Sequence, residues 1–417
     1  MTISRPPQLA RWSWDEACEL LVAPRPLGAE QRHSLPQTWT PLWQAELERC
    51  VSADPHGRRA SELVSALLSQ PPSESLRVVA DQRRSELVGE TVTYVVNRNL
   101  NLSNHCVKHC SFCAFRRDPD QAGAYWHSFE LLQQRAAEAR RLGATELCIQ
   151  GGLNPAARLN GSSLAYHAAL LACLQSAAPG LHLHAFSPQE LLFIAEQDDL
   201  PLAQVLDHLR EVGLGSVPGT AAEVLSESVR AKLCPEKLSA RAWCAVILEV
   251  HRAGLRSTAT LMAGHLEGLA DLAAHLLTLV ALQQRACQHR CGGFSEFVLL
   301  PFIGAAAPAS LRQRVGRDQP DLDAMLALTA QCRLVLGTWL PNHQPSWVKL
   351  TLQGASEALR WGCNDLGGTL MEETITRMAG ALGGSTQSPQ SLEQAARSLG
   401  RPVRQRTTLY GTPSRCH

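Results

Sequence analysis

The chain predicts an α/β fold, a full or partial (β/α) TIM-type barrel with an N-terminal helical extension. Three observations point there. From Val92 onward, short runs rich in β-formers alternate with helical runs of about 10 to 20 residues, the pattern of a parallel sheet with crossover helices. Glycine, proline and polar side chains gather just after the β runs, where such barrels carry their chemistry. The length, 417 residues, suits a barrel with additions better than one small core.

Residues 1–91 read as a helical region broken by prolines, with RASELVSALL (Arg59 to Leu68) its clearest helix. TVTYVVNRNLNLS alternates and opens the barrel as a strand. SFELLQQRAAEARRLG is a helix stopped by Gly143. TELCIQ is a strand ending in Gly151 and Gly152, SSLAYHAALLACLQSA a helix, and LHLHAF a strand. Pro188 to Gly213 is mainly helical and leads to a strand at LGSV. Helices over Ala221 to Arg230 and Ala240 to Ala253 precede a strand at STATLMAGH. A long helix from Leu269 to Arg285 precedes a strand at SEFVLLPFI; Asp321 to Leu336 is helical, and QPSWVKL reads as another strand. The barrel is expected over 92–383, with 384–417 as a tail packing on it. GGLNP, HAFSPQE, GSVPGTAAE, MAGHLE and LLPFIG occupy the strand ends.

Composition narrows the function. Hydrophobic residues make up 45%, enough for a large core, and 39 basic against 38 acidic side chains leave a net charge of +1. No basic field points to nucleic acid. The first residues lack a basic stretch followed by an apolar one, and no eighteen apolar residues run together, so neither secretion nor a membrane span is expected. Fourteen cysteines without an export signal predict a reducing, cytoplasmic setting and thiols used for metal or redox chemistry. Cys287 and Cys291, in CQHRC, fall in a helix-to-strand connection. Cys148 and Cys173 read as small buried apolar residues.

The most informative string is NLNLSNHCVKHCSFCAFRRD, in which Cys106, Cys110 and Cys113 form C-x3-C-x2-C. Cubane iron–sulfur clusters usually take four cysteine thiolates. Three leave one iron open to a small molecule, as an open zinc position marks catalysis rather than structure. The competing reading is structural zinc completed by His105 or His109. His109 adjoins Cys110, a poor geometry for a shared tetrahedral site, and the paired C-x2-C knuckle is missing.

With this loop after the first strand of a barrel, the chain resembles the radical S-adenosylmethionine enzymes. The blocks YVVNRNLNLSNHCVKHCSFCAFRRD, ELCIQGGLNP, HLHAFSPQE, GLGSVPGTAAEVL, KLCPEKL, GGFSEFVLLPF, SWVKL and NDLGGTLMEE resemble, more narrowly, the second subunit of FO synthase. That is the family of 5-amino-6-(D-ribitylamino)uracil–L-tyrosine 4-hydroxyphenyl transferases. The alternative is a sister enzyme, either the first FO synthase subunit or a futalosine-type menaquinone enzyme. The latter usually carries PGGGAE where this chain has Pro218-Gly219-Thr220-Ala221-Ala222-Glu223. The chain departs from the family pattern at Val217, Ala263 and Gly304.

The resemblance implies a 4Fe–4S cluster on Cys106, Cys110 and Cys113, with S-adenosylmethionine chelating the open iron. A 5′-deoxyadenosyl radical then removes hydrogen from L-tyrosine. The Cα–Cβ bond breaks, 2-iminoacetate leaves, and the 4-hydroxybenzyl group joins carbon 5 of 5-amino-6-(D-ribitylamino)uracil. The adduct passes to FO synthase subunit 1, and a low-potential electron donor of unknown identity is required. Phe112 is implied near the adenine, Gly151 and Gly152 at the methionyl end, with Gln150 as an added polar contact. Ser187 and Glu190 are implied at the ribose. The same two residues read equally as a helix cap, with Pro188 at N1.

His265, Glu267, Asn364 and Asp365 are the candidate catalytic or substrate-binding groups. The alternatives are a satisfied core histidine for His265 and an Asx turn before Gly367 for the Asn364–Asp365 pair. Glu223, Glu296 and Arg98 are further charged candidates, and Trp347 and Lys349 are candidates for the mouth.

Overall fold

The computed structural model describes residues 4–28, 36 and 38–413. Among the described residues four helices come first: α1 (Arg11–Leu20), α2 (Pro41–Ala53), α3 (Arg58–Leu68) and α4 (Glu74–Val88). Thr40 and Ser73 cap α2 and α4 by accepting backbone N–H bonds, as N-cap hydroxyls do. The apolar stripe Leu63, Val64 and Leu67 of α3 is fully buried.

The first barrel strand is one extended run that breaks at Val96 into β1 (Val92–Val95) and β2 (Asn97–Asn101). Then follow α5 (Phe129–Arg141), β3 (Glu146–Gln150), α6 (Ser163–Ala177), β4 (His182–Ala185), α7 (Pro188–Asp198), α8 (Leu202–Glu211) and β5 (Leu214–Val217). The second half holds α9 (Glu227–Leu233), α10 (Ala240–Arg252), β6 (Arg256–Ala263), α11 (Leu269–His289), β7 (Phe294–Pro301), α12 (Ala309–Val315), α13 (Leu322–Leu336), β8 (His343–Pro345) and α14 (Trp347–Ala358). Last come β9 (Asp365–Gly368), α15 (Ile375–Met378), α16 (Pro389–Arg397) and β10 (Val403–Gln405).

Strands β2 to β8 form one parallel sheet in sequence order, and β10-β1-β9 form a second parallel sheet. The two sheets are stitched together. Asn364 N–H donates to the His343 carbonyl (3.1 Å), and Thr369 N–H donates to Val95 (3.1 Å). Strands β9 and β1 thereby bridge β8 back to β2.

Strand alternation separates the two faces of β2. Arg98 reaches outward to α5, bonding Glu138 at 2.6 Å and the Arg135 carbonyl at 3.1 Å. Asn97 points inward and donates to Glu146 of β3 at 2.7 Å, so Asn99 and Asn101 face the lumen with it. Arg98 is therefore a sheet-to-helix clamp, with Glu372 as a second partner at 3.0 Å, and does not line the barrel interior.

Two predicted elements are corrected. QPSWVKL is a strand only as far as Pro345, which has no N–H for a continuing ladder; from Trp347 the chain is helical. The helix expected from Ala221 starts at Glu227 instead. Ala221 and Glu223 adopt positive φ (66° and 46°), because Arg230 draws the carbonyls of Ala221 and Ala222 onto its guanidinium at 3.2 and 2.6 Å.

Candidate active site

The cysteine loop leaves the C-terminal end of β2 and is pinned at several points. Gly152 N–H donates to the Ser103 carbonyl (2.7 Å) and Val107 N–H to Leu153 (3.1 Å), tying the loop to the end of β3. Ser111 Oγ donates to Leu233 at 2.6 Å, and His109 N–H to Glu236 at 3.0 Å. The thiols of Cys106, Cys110 and Cys113 are all free and only partly exposed. Burial pushes the Cys110 thiol up to about 12 even though Lys237 opposes the shift. The thiolate form there therefore calls for a bound cation.

The imidazole of His109 faces Glu236 (3.3 Å) and Arg116 (2.7 Å). Among the described residues no three His, Cys, Asp or Glu side chains converge on a single-ion site. A cubane places each thiolate on a different iron, so three thiols spread over one short loop fit it better than they fit a zinc ion.

A Cβ on Gly152 would stand 2.1 Å from the His105 carbonyl oxygen and 3.0 Å from Cys106 Cβ; one on Gly151 would stand 3.2 Å from Ser103 O. Only hydrogen fits at Gly152, which lets the end of β3 press against the cluster loop. Gln150 sits beside it, its carbonyl accepting from Asn101 Nδ2 at 3.3 Å.

Ser187 and Glu190 form the full capping box of α7. Ser187 Oγ accepts from Glu190 N–H, and the carboxylate accepts from Ser187 N–H at 2.7 Å. The other carboxylate oxygen accepts from Gly151 N–H at 2.9 Å. The cap thus fastens the end of β3 to the start of α7. Burial raises the Glu190 pKa against these bonds.

Beyond the loop a charged cluster faces the lumen. Lys237 ion-pairs with Glu223, and its ammonium lies 5.2 Å from the centre of the Phe112 ring. Phe112 also packs on the small core of Leu233, Met262 and Phe302. Burial alone would raise the Glu223 pKa, but Lys237 holds it below the usual carboxylate value. His265 is buried, 2.9 Å from Glu267, with its other nitrogen 3.0 Å from the Met262 carbonyl. Glu267 in turn accepts the backbone N–H groups of Gly264 and His265. The pair shapes the turn after β6, and both imidazole nitrogens have partners.

Asn364 and Asp365 lie elsewhere. Asp365 is level with Thr93, eight residues before Asn101, so it sits roughly 25 Å down the strand from the cysteine loop. It is fully buried and ion-paired with Arg406, and it also accepts from Gly367 N–H at 2.6 Å. The Asn364 side-chain carbonyl accepts from Arg333 and from His343 N–H, each at 2.9 Å. Both are floor residues, and the expected turn before the glycines is part of that floor. Glu296 joins them: it interacts with Arg406, Asp365 and Glu146, and burial pushes it up to about 7. The tryptophan of the SWVKL block is a tie as well, donating from Nε1 to Gly368 at 2.9 Å.

Residues 100–279 match the radical SAM superfamily. The 5-amino-6-(D-ribitylamino)uracil–L-tyrosine 4-hydroxyphenyl transferase of Cyanothece sp. is 54% identical over 83% of this chain and 92% of its own length. The enzymes of the same name from Gloeobacter violaceus and Synechococcus elongatus are 56% and 55% identical, each over 81% of this chain and over 86% and 88% of their own lengths.

The chain belongs to the 5-amino-6-(D-ribitylamino)uracil–L-tyrosine 4-hydroxyphenyl transferase family.

Solved structures agree on the fold. Methylornithine synthase (PylB) superposes with a TM-score of 0.63 at 14% identity, covering 87% of this chain and 97% of its own. The FeFe-hydrogenase maturase HydG from Carboxydothermus hydrogenoformans gives 0.64 at 14%, covering 98% and 87%. Superfamily membership implies a 4Fe–4S cluster and S-adenosylmethionine for this transferase family member, and the loop chemistry described above fits both. No described helix is long and apolar enough to cross a membrane.

Sequence reasoning missed Lys237 and Glu373. Lys237 lies inside the KLCPEKL block but far along the chain from the cysteines it faces. Glu373 ends the NDLGGTLMEE block and caps α15 by accepting from Thr376 N–H at 2.8 Å. No local pattern marks either as a lumen residue.

Proposed function

We propose that this chain cleaves L-tyrosine at Cα–Cβ and transfers the 4-hydroxybenzyl group to carbon 5 of 5-amino-6-(D-ribitylamino)uracil. The products are 5-amino-5-(4-hydroxybenzyl)-6-(D-ribitylimino)-5,6-dihydrouracil, 2-iminoacetate, methionine and 5′-deoxyadenosine. The observation that carries this reading is the identity of 54% over 92% of the Cyanothece enzyme, in a chain whose three-cysteine loop caps a polar lumen.

In this reading Cys106, Cys110 and Cys113 hold the cluster. When bound, the cluster and S-adenosylmethionine supply a hydrogen-abstracting carbon radical. The protein positions the reactants and excludes water. Gly151 and Gly152 let backbone approach the amino-acid end of S-adenosylmethionine. Phe112 lies by the adenine, and Glu190, with Ser187, sets the height of α7 beside the ribose. The reading treats 92–383 as the catalytic barrel, with 1–91 and 384–417 packed against it. It also assigns the chain to the cytoplasm, with FO synthase subunit 1 receiving the product and a low-potential donor supplying the electron.

The test is anaerobic incubation of reconstituted protein with tyrosine, the ribitylaminouracil, S-adenosylmethionine and a reductant. Tyrosine-dependent 5′-deoxyadenosine and a hydroxybenzyl adduct of the uracil are expected. Finding neither rejects the proposal.

A further inference from the structure

Lys349 occupies the first turn of α14, directly after β8, at the strand-end face that carries the cysteine loop. Lys349 is half-buried, and the carboxylates that act on its charge are Glu373 and Glu223. Both are already committed. Glu223 is ion-paired with Lys237. Glu373 accepts the N–H groups of Thr376 (2.8 Å) and Arg377 (3.2 Å) at the start of α15.

The buried cations Arg406, Arg230 and Arg333 have close partners: Arg406 has Asp365, Arg230 has three carbonyls, and Arg333 has Gly362, Pro341 and Asn364. No carboxylate oxygen among the described residues comes within 4 Å of the Lys349 ammonium. A half-buried ammonium with no carboxylate partner is open to an incoming anion.

The backbone around it is strained. Thr351, two residues on, has φ 65° and ψ 165°, a conformation that a β-branched residue rarely adopts. Leu370, Met371 and Glu372, in the segment that follows β9, also have positive φ (63°, 40° and 117°). Strain of this kind gathers where a ligand must be met. The β2 wall of the same lumen is neutral: Asn99 and Asn101 turn side-chain carbonyls inward that have no partner in the protein.

We propose that Lys349 anchors the carboxylate of the tyrosine substrate. The inference rests on the proposed function, in which tyrosine's carboxylate is the one anionic group that the two organic substrates bring at neutral pH. The ribitylaminouracil is neutral and suits the amide wall. A grip on the carboxylate fixes Cα and the amino nitrogen, where bond breaking begins. The phenol side stays free to depart once Cα–Cβ opens.

The experiment compares L-tyrosine with tyramine, which lacks the carboxylate, as ligands of the reconstituted enzyme with S-adenosylmethionine present. Wild type, K349M and K349R are titrated for equilibrium binding and for KM. K349M is expected to weaken tyrosine by about 10- to 100-fold, the worth of a charged hydrogen bond. Tyramine binding should stay unchanged, so the preference for tyrosine disappears. K349R keeps the charge and should recover most of that preference. Retention of the full preference by K349M overturns the inference, and so does an equal loss for both ligands. A wild type that prefers tyrosine but forms no uracil adduct counts against the proposed function alone.

Discussion

Replacing Gly152 with alanine puts a methyl group in place of a hydrogen at the seam between β3 and the cysteine loop. That carbon would stand 2.1 Å from the His105 carbonyl oxygen, where ordinary contact begins near 3.4 Å. The loop would have to retreat by about 1.3 Å, the difference of those two distances. It has little room to do so, because the Gly152–Ser103 and Val107–Leu153 hydrogen bonds hold it on both sides of the clash. Overpacking of this kind costs about 1–3 kcal/mol, and one broken bond adds about 1 kcal/mol. A chain of this size survives such a loss, but the thiols it displaces are the proposed cluster ligands. G152A should therefore fold yet take up much less iron and acid-labile sulfide on anaerobic reconstitution. G151A makes the contrast, since its Cβ would meet Ser103 O at a milder 3.2 Å; it should take up close to the wild-type amount. The assay is iron and sulfide per chain, with the melting temperature of the apoprotein as a control. A G152A protein with full cluster content would refute the reasoning.

Two further predictions concern the floor of the barrel. Glu296 is pushed from 4.5 to about 7, first by burial, with Arg406 opposing and Asp365 and Glu146 reinforcing. A raised carboxyl pKa means that the folded chain holds the extra proton. The stabilisation is complete below about pH 4.5 and is lost as pH rises through about 7. At about 1.4 kcal/mol per pH unit, the shift is worth on the order of 3 kcal/mol. E296Q should match wild type in denaturant titrations at pH 4 and be more stable at pH 8; equal stability at both pH values would sink this account. The Asp365–Arg406 pair predicts that D365N and R406M each lose about 3–5 kcal/mol, because each strands a buried charge. The double variant should lose less than the sum, as a double-mutant cycle measures. Additive losses would show that the two groups do not act as a pair.

Several features were legible because their physics is local. The capping box of α7 spans three residues, and Ser187 and Glu190 realise it as the S-P-Q-E string predicts. The alternation of strands and helices reports which faces are apolar, and it recovers the parallel order β2 to β8. Errors fell where a distant side chain decided the local conformation. Arg230 pulls the segment after β5 out of helix. Pro345 ends β8 early, and the following Trp347 is drawn to the Gly368 carbonyl.

By itself, the amino-acid order determined the barrel class, the three-thiol loop at the end of its first strand, and the family. Those rest on periodicity and on thiols that lie a few residues apart. Tertiary structure decided which end of a strand each polar residue occupies. Asn364 and Asp365 went to the floor because β9 runs parallel to β1 and Arg406 returns from β10 to neutralise the aspartate. Lys237 pairs with Glu223, and Lys349, more than a hundred residues further along the chain, lies within electrostatic reach of the same carboxylate. A buried charge must be paired, and only folding brings its partner within reach.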